Sequence, residues 1–287
     1  MASLAGVSEL TVPETTPVPP DRARVHAQLV ASRIAGQVAT TRENNLANYR
    51  RMSDREPLYL FGLRPTGTWT PAEVLALMAD RAGVAADPGH RHGQDTIDPD
   101  RTLDRIDALA DRLALAASRH ERVLVATGHP VGLRPVHTAI VAALDRAGAS
   151  VLTPGTDWHH PADAGYGWQV GTVAYTDRVA VLADHGTPRH THSPLPMLAL
   201  LAALERAGQA PPDLVVADHG WAGAAGQAGI DAVGFADCND PALFVGEAEG
   251  TVRVSVPLDD NVAPHLYAPL TGYLLARAGL TGAVTGA

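Results

Sequence analysis

The sequence predicts an α/β fold: a mostly parallel central sheet with helices on both faces, Rossmann-like and three-layered, preceded by a helical N-terminal subregion. Three stretches carry that expectation. Val123-Leu124-Val125-Ala126-Thr127 runs into Gly128-His129-Pro130, Leu214-Val215-Val216-Ala217 into Asp218-His219-Gly220, and Ala232-Val233-Gly234-Phe235 into Asp237-Cys238-Asn239-Asp240. Short apolar runs that end in polar or glycine residues and lead into helical patterns are the repeating unit of a parallel sheet. Open sheets of this kind bind ligands at the carboxyl ends of their strands. The three tips are therefore expected to share one crevice.

The elements follow in order. Residues 1–20, rich in Pro and Thr, read as a flexible leader, and residues 21–282 as one α/β domain. Within that domain, 21–120 is expected to be mostly helical and 121–282 to hold the sheet. Val25, Leu29, Val30 and Ile34 fall at helical spacing and Gly36 ends the run. Residues 40–51, dense in Arg and Asn, predict a short helix with a polar face, and Leu58–Phe61 a short strand. Thr70-Pro71-Ala72-Glu73 has the cap, first-turn proline and returning glutamate of a helix start. Residues 87–97 read as an irregular loop, and Asp98-Pro99 begins a long helix with Leu103, Ile106, Leu109 and Leu113 on one face. After the strand at 122–127 come a helix over 136–147, strands near 150–153, 172–175 and 178–183, and a polar insert at 157–169. A helix capped by Ser193, strands over 213–217 and 231–236, a helix from Ala222, a strand over 251–256 and a last helix from Pro264 complete the chain.

Composition narrows the functional classes. With 22 basic and 31 acidic residues the formal charge is -9, which argues against a nucleic-acid surface or an anionic membrane face. No apolar run reaches the about 18–20 residues of a membrane span. The N-terminus lacks the basic and apolar regions of a signal peptide. Cys238 is alone, so no intrachain disulfide forms and a cytoplasmic location is expected. A homo-oligomer is compatible with all of this.

Several familiar chemistries have no motif here. There is no phosphate-binding G-x-x-x-x-G-K-[ST] loop, no G-x-G-x-x-G after a strand, no G-x-S-x-G elbow and no H-E-x-x-H. Arg91-His92-Gly93 resembles the R-H-G tripeptide of histidine phosphatases. That tripeptide needs a buried strand before it, whereas here Pro88 and Gly89 precede it, so the context is missing. His90, His92 and Asp95 are instead expected on a lid near the site.

The strand tips supply the candidates. Gly128 permits close backbone approach and the helix beyond it offers unpaired N–H groups to an anion. His129, Asp218, His219 and Asp237 form the expected catalytic set, with Asp218, His219 and Asp237 as metal ligands. Carboxylates at strand exits suit Mg²⁺ or Mn²⁺, and an imidazole favours Mn²⁺, Zn²⁺ or Fe²⁺. Asn239 is a ligand or orienting group. Asp240 reads as the cap of the helix at Pro241, and Asp259-Asp260-Asn261 as a further carboxyl-end cluster or another cap. Glu247 and Glu249 read as solvated. Gly128, Arg42, Asn44, His92, Asp95 and Asn239 are the expected substrate contacts, since a guanidinium pairs with phosphate through two parallel donors.

The stretches 128–137, 190–197, 218–250 and 256–260, with 33–50 and 90–100, resemble a family of actinobacterial proteins called simply phosphatases. The resemblance spans residues ~22 to 280 and implies phosphoester hydrolysis without assigning a role to any residue. Together with the strand tips, it leads to the expectation of a phosphoric monoester hydrolase acting on a small phosphorylated metabolite with a divalent metal. The alternatives are a metal-dependent hydrolase of a C–N bond and a non-catalytic sugar-phosphate sensor.

Overall fold

The computed structural model describes residues 21–163 and 168–281; the leader expected over 1–20 lies outside them. The chain begins with α1 (Arg22–Ser32), capped by the Asp21 side chain. Then come β1 (Gly36–Thr41), α2 (Arg42–Ser53), α3 (Pro71–Arg81), β2 (Gln94–Ile97) and α4 (Pro99–Ser118). α3 has the full reciprocal cap: Thr70 accepts from the Glu73 amide while Glu73 accepts from that of Thr70. Such a cap contributes on the order of 1 kcal/mol.

Two N-terminal expectations need correction. Leu58–Phe61 is not a strand: Pro57–Tyr59 forms a 3₁₀ turn, closed by the Leu60 amide on the Pro57 carbonyl. Residues 36–41, where one helix is expected to end and another to begin at 40, and residues 94–97, expected as loop, pair instead as a two-stranded antiparallel sheet, β1 with β2. Their alternation is hard to read because one inward residue on β2 is Asp95, a buried charge where a strand pattern requires an apolar residue.

The second half holds β3 (Arg122–Thr127), α5 (Arg134–Arg146), β4 (Ser150–Val151), β5 (His159–Asp163), β6 (Trp168–Thr176), β7 (Val179–Asp184) and β8 (Thr187–Arg189). It continues with α6 (Leu195–Arg206), β9 (Leu214–Asp218), α7 (His219–Gln227), β10 (Asp231–Ala236), α8 (Pro241–Ala248), β11 (Val254–Pro257) and α9 (Ala268–Arg277). The strands lie in the order β11-β10-β9-β3-β7-β6-β5, with β4 beside β3 and β8 beside β7. All pairings from β11 to β7 are parallel, and the hairpin-linked β5, β6, β7 and β8 are antiparallel. The α/β class and the mostly parallel sheet are as expected.

This order fixes where a ligand can sit. From β3 the chain first builds outward through β4 and β7. It then returns through α6 to lay β9 on the other side of β3 and builds the opposite way through β10 and β11. Crossover helices therefore diverge above the β3–β9 boundary, leaving a crevice at the carboxyl ends of those two strands. Strands β3, β9 and β10 are buried almost throughout, as parallel strands covered on both faces must be. Among the described residues no helix is long and apolar enough to cross a membrane.

The small N-terminal sheet is locked by a buried ion pair. Arg42 donates to Asp95 at 2.9 Å, to the carbonyl of His90 at 2.9 Å and to that of Asp87 at 3.1 Å. Asn45 and the amides of Ala85 and Thr96 complete the Asp95 carboxylate. Both charged side chains are wholly buried. Breaking such a pair from one side leaves an uncompensated charge, so Asp95→Ala is expected to destabilise the fold by about 3–5 kcal/mol. Urea unfolding checks this, and a loss below about 1 kcal/mol would contradict the lock.

Candidate active and metal-binding site

The side chains at the crevice are positioned by strand ends and by close backbone contacts. β3 ends at Thr127, and Gly128 then turns under Thr191, whose amide donates to the Gly128 carbonyl at 3.0 Å. A Cβ at Gly128 would lie 2.4 Å from the Thr191 carbonyl oxygen, so no larger residue lets these segments meet. Gly220 plays the same part under His192, where a Cβ would come within 2.2 Å of the carbonyl oxygen. Between them His219 holds a left-handed backbone, φ 45°. That region is uncommon for residues other than glycine and turns the imidazole back over the strand end.

Asp218, fully buried, ties the two central strands together. It accepts from Thr127 Oγ1 at 2.5 Å, from the Gly128 amide at 2.6 Å and faces His219 Nδ1 at 3.0 Å. Burial alone would raise its pKa, but the partnership with His219 outweighs this and holds the carboxyl well below the usual range. His219 is raised well above the ordinary imidazole value: burial opposes its charge, and Asp240 and Asp218 on either side more than offset that. Its Nε2 lies 3.0 Å from Asp240 and 3.4 Å from Asp260.

Three further imidazoles crowd this pair. His192 stacks on His219 with centroids 4.4 Å apart and planes 12° apart. His129 Nδ1 approaches His219 Nδ1 to 3.3 Å, and the His129 and His190 rings are 4.1 Å apart. Burial, then the neighbouring His219 charge, lowers all three, His190 to about 4. Behind the site, His137 is buried with Nδ1 on the Leu133 carbonyl and Nε2 4.0 Å from Asp218.

A second, acidic cluster adjoins the first. Asp237 follows β10 and accepts from Thr40 Oγ1 at 2.5 Å and the Cys238 amide at 2.6 Å. Asp259 and Asp260 follow β11. Burial and the adjacent Asp259 charge push the Asp237 pKa up to about 7. Asp260 is raised well above the carboxylate range, by burial first, and its Oδ2 has no hydrogen-bond partner although buried. Among the described residues, three groups have donor atoms within 4.8 Å of one another, as a metal ion requires: His129 with His190 and His219, His192 with His219 and Asp240, and Asp237 with Asp259 and Asp260. They border a cavity of about 430 Å³ whose wall includes His129, His190, His192, Asp237, Asn239, Asp240 and Asp260.

The sequence-derived candidates divide. His129, Asp237 and Asn239 line the cavity, and Asp218 and His219 are buried behind its wall. The expected metal set of Asp218, His219 and Asp237 does not form one group, because Asp237 clusters with Asp259 and Asp260 instead. Gly128 is corrected: its amide is taken by Asp218, so it assembles the site and offers no free donor to a substrate. α5 starts at Arg134, two residues before the helix expected over 136–147. Arg42 and Asp95 are corrected too, being sealed against each other. His92, with its side chain 83% exposed, pairs with Glu43 outside the cavity, and Asn44 accepts from Asn239. Asp240 sits at the cap position of α8 without making a cap bond, because its carboxylate turns to His219. Glu247 and Glu249 are structural: one binds Arg105 and the Ser255 amide, the other Trp69 and the amides of Thr66 and Gly67.

His190, His192, Asp240 and Asp260 were not singled out by sequence reasoning as a set. The signal was slight: two histidines two apart in a stretch without regular structure, and acidic pairs after predicted strands.

The low value of His190 has a sign that can be checked in chelator-treated protein. As pH falls from about 6.5 the unfolded chain protonates this imidazole first, so its contribution to stability is lost down to about pH 4. His190→Gln removes that loss. The variant is expected to gain on the parent by more than about 1 kcal/mol across this window in unfolding experiments, and a constant difference would refute the shift.

With this geometry in place, likeness to other proteins becomes informative. The model of the family described as Phosphatase matches residues 20–282. A Streptomyces coelicolor protein that bears the name of a phosphatase is 50% identical over 268 residues, covering 92% of this chain and 99% of the relative. By the extent of both matches, the chain belongs to the Phosphatase family.

Proposed function

We propose that the protein is a phosphoric monoester hydrolase acting on a small phosphorylated metabolite, assisted by a divalent metal. The observation that carries this reading is the make-up of the cavity wall. Four carboxylate or imidazole-bearing segments converge there, yet no Arg or Lys is among the described residues lining it. A phosphate entering this acidic space would be repelled unless a cation neutralised it. The buried, unbonded oxygen of Asp260 and the close donor groups fit such an ion. The cavity volume, about 430 Å³, suits a small metabolite.

His192, His219 and Asp240 would hold the ion, His219 giving up to solvent the Nε2 proton that Asp240 stabilises, and Mn²⁺ or Mg²⁺ there would supply positive charge to the phosphoryl oxygens. The chain's own part is orientation and proton movement. Asp218 faces His219 Nδ1 and so leaves Nε2 directed at Asp240 and Asp260, the arrangement by which a carboxylate fixes a ligating imidazole. Asp218 therefore acts through His219 and is not itself a ligand. His129, kept neutral by burial and by the neighbouring His219 charge and placed on the cavity wall, would accept the proton of the attacking water. Thr40 and Asn239 present polar atoms to the substrate at the rim. A C–N hydrolase could use a similar donor set, and a sensor would bind without turnover.

Release of inorganic phosphate from a panel of phosphomonoesters, set beside amide substrates, separates these readings. Chelation is expected to abolish phosphate release and Mn²⁺ or Mg²⁺ to restore it. Asp240→Asn, removing the charge beside His219, is expected to lower kcat about 10–100-fold with the fold intact by circular dichroism. Full activity in the presence of chelator, or cleavage of amides alone, would overturn the proposal.

A further inference from the structure

We infer that this site holds two cations, not one: a nitrogen-rich position formed by His192, His219 and Asp240, and an all-oxygen position formed by Asp237, Asp259 and Asp260, with Asp260 bridging them. The inference deepens the hydrolase reading and rests on it for its purpose, though not for its geometry. Within each triad the donor atoms lie within 4.8 Å of one another. Asp260 belongs to the acidic triad, and its Oδ2 lies 3.4 Å from Nε2 of His219, a member of the nitrogen-rich set, and 3.5 Å from His129 Nδ1.

The state of that oxygen is the independent observation. Asp260 is 3% exposed and its Oδ2 has no hydrogen-bond partner despite two imidazoles within ion-pair distance. A buried carboxylate oxygen left without a donor is costly, and folded proteins rarely keep one without reason. Asp260 lines the cavity, where a cation would satisfy that oxygen. The triad as a whole makes the same demand. Asp237, Asp259 and Asp260 are each at least 95% buried, and among the described residues none pairs with Arg or Lys. Their hydrogen bonds come from neutral donors, the Thr40 hydroxyl and the amides of Cys238, Ala39 and Asn261, which hold the side chains in place.

The two donor sets differ in chemistry. Two imidazoles and one carboxylate favour a borderline metal such as Mn²⁺ or Zn²⁺, whereas three carboxylates favour Mg²⁺ or Mn²⁺. Mn²⁺ is common to both and is the probe of choice. A bridging carboxylate between two ions is a known means of clamping a phosphoryl group from both sides.

The test uses the full chain stripped with chelator and titrated with Mn²⁺ alone, without substrate. Elemental analysis after desalting is expected to give two Mn²⁺ per chain, and electron paramagnetic resonance the signature of a spin-coupled pair. Asp259→Asn, which touches only the oxygen set, is expected to leave one ion and abolish the coupled signal. His192→Asn is expected to leave the other. Should Asp259→Asn fail to fold, the coupled signal of the unaltered chain still decides the matter. A single uncoupled Mn²⁺ per chain would overturn the inference while leaving a one-metal phosphatase standing. Two coupled ions without phosphate release from any phosphomonoester would uphold it and sink the hydrolase reading instead.

Discussion

The Asp218 carboxylate is the constraint on which the rest of the site depends. It is a buried charge at the junction where the sheet reverses its direction of growth, and its cost is offset by three donors from both sides of that junction. Thr127 and Gly128 belong to the end of β3, and His219 to the start of α7. Because a carboxylate stripped of water needs each of these partners, the crevice cannot widen or slide without exposing an uncompensated charge. The carboxylate thereby also sets which face of the His219 ring looks outward.

Close packing of backbone follows from the same requirement. For His219 to lie between Asp218 and Asp240, the chain must turn immediately at the strand end, which accounts for its left-handed backbone. The stretch carrying His190 and His192 must then pass directly over that turn, and only glycine at 128 and 220 leaves room. Backbone strain at a non-glycine residue costs of order 1–3 kcal/mol and persists only where the surroundings over-determine it. Here the two flanking carboxylates and the stacked His192 ring do so.

Most of this frame was legible in the sequence, because parallel strands buried on both faces show as continuous apolar runs and their polar tips mark the carboxyl rim. The strand ends carrying His129, Asp218, His219 and Asp237 could be read in that way. What could not be read depends on side-chain direction. Asp240 has the sequence signature of a helix cap, and nothing in Asn-Asp-Pro says that its carboxylate points to an imidazole instead. His190 and His192 follow an antiparallel hairpin, so their return to the rim depends on how that hairpin folds back on β3. Arg42 reads as a phosphate contact because a guanidinium offers two parallel donors to an anion. Its partner Asp95 lies 53 residues away in sequence, and no local pattern announces the pairing.

The placement of Arg42 bears on function as well as on folding. An acidic protein that binds an anion usually keeps a guanidinium or ammonium at its site. In this fold the nearby arginine is committed to Asp95 and to two backbone carbonyls of the 87–90 loop, and the cavity wall is left with imidazoles and carboxylates. Three of those imidazoles are driven towards the neutral form by burial and by His219, so they offer lone pairs where a phosphate site built from side chains alone would offer positive charge. Such a wall matches the donor chemistry of a cation site. On the hydrolase reading proposed above, an anionic substrate would be recognised through a cation held there, and fixed organic cations would compete for the same space.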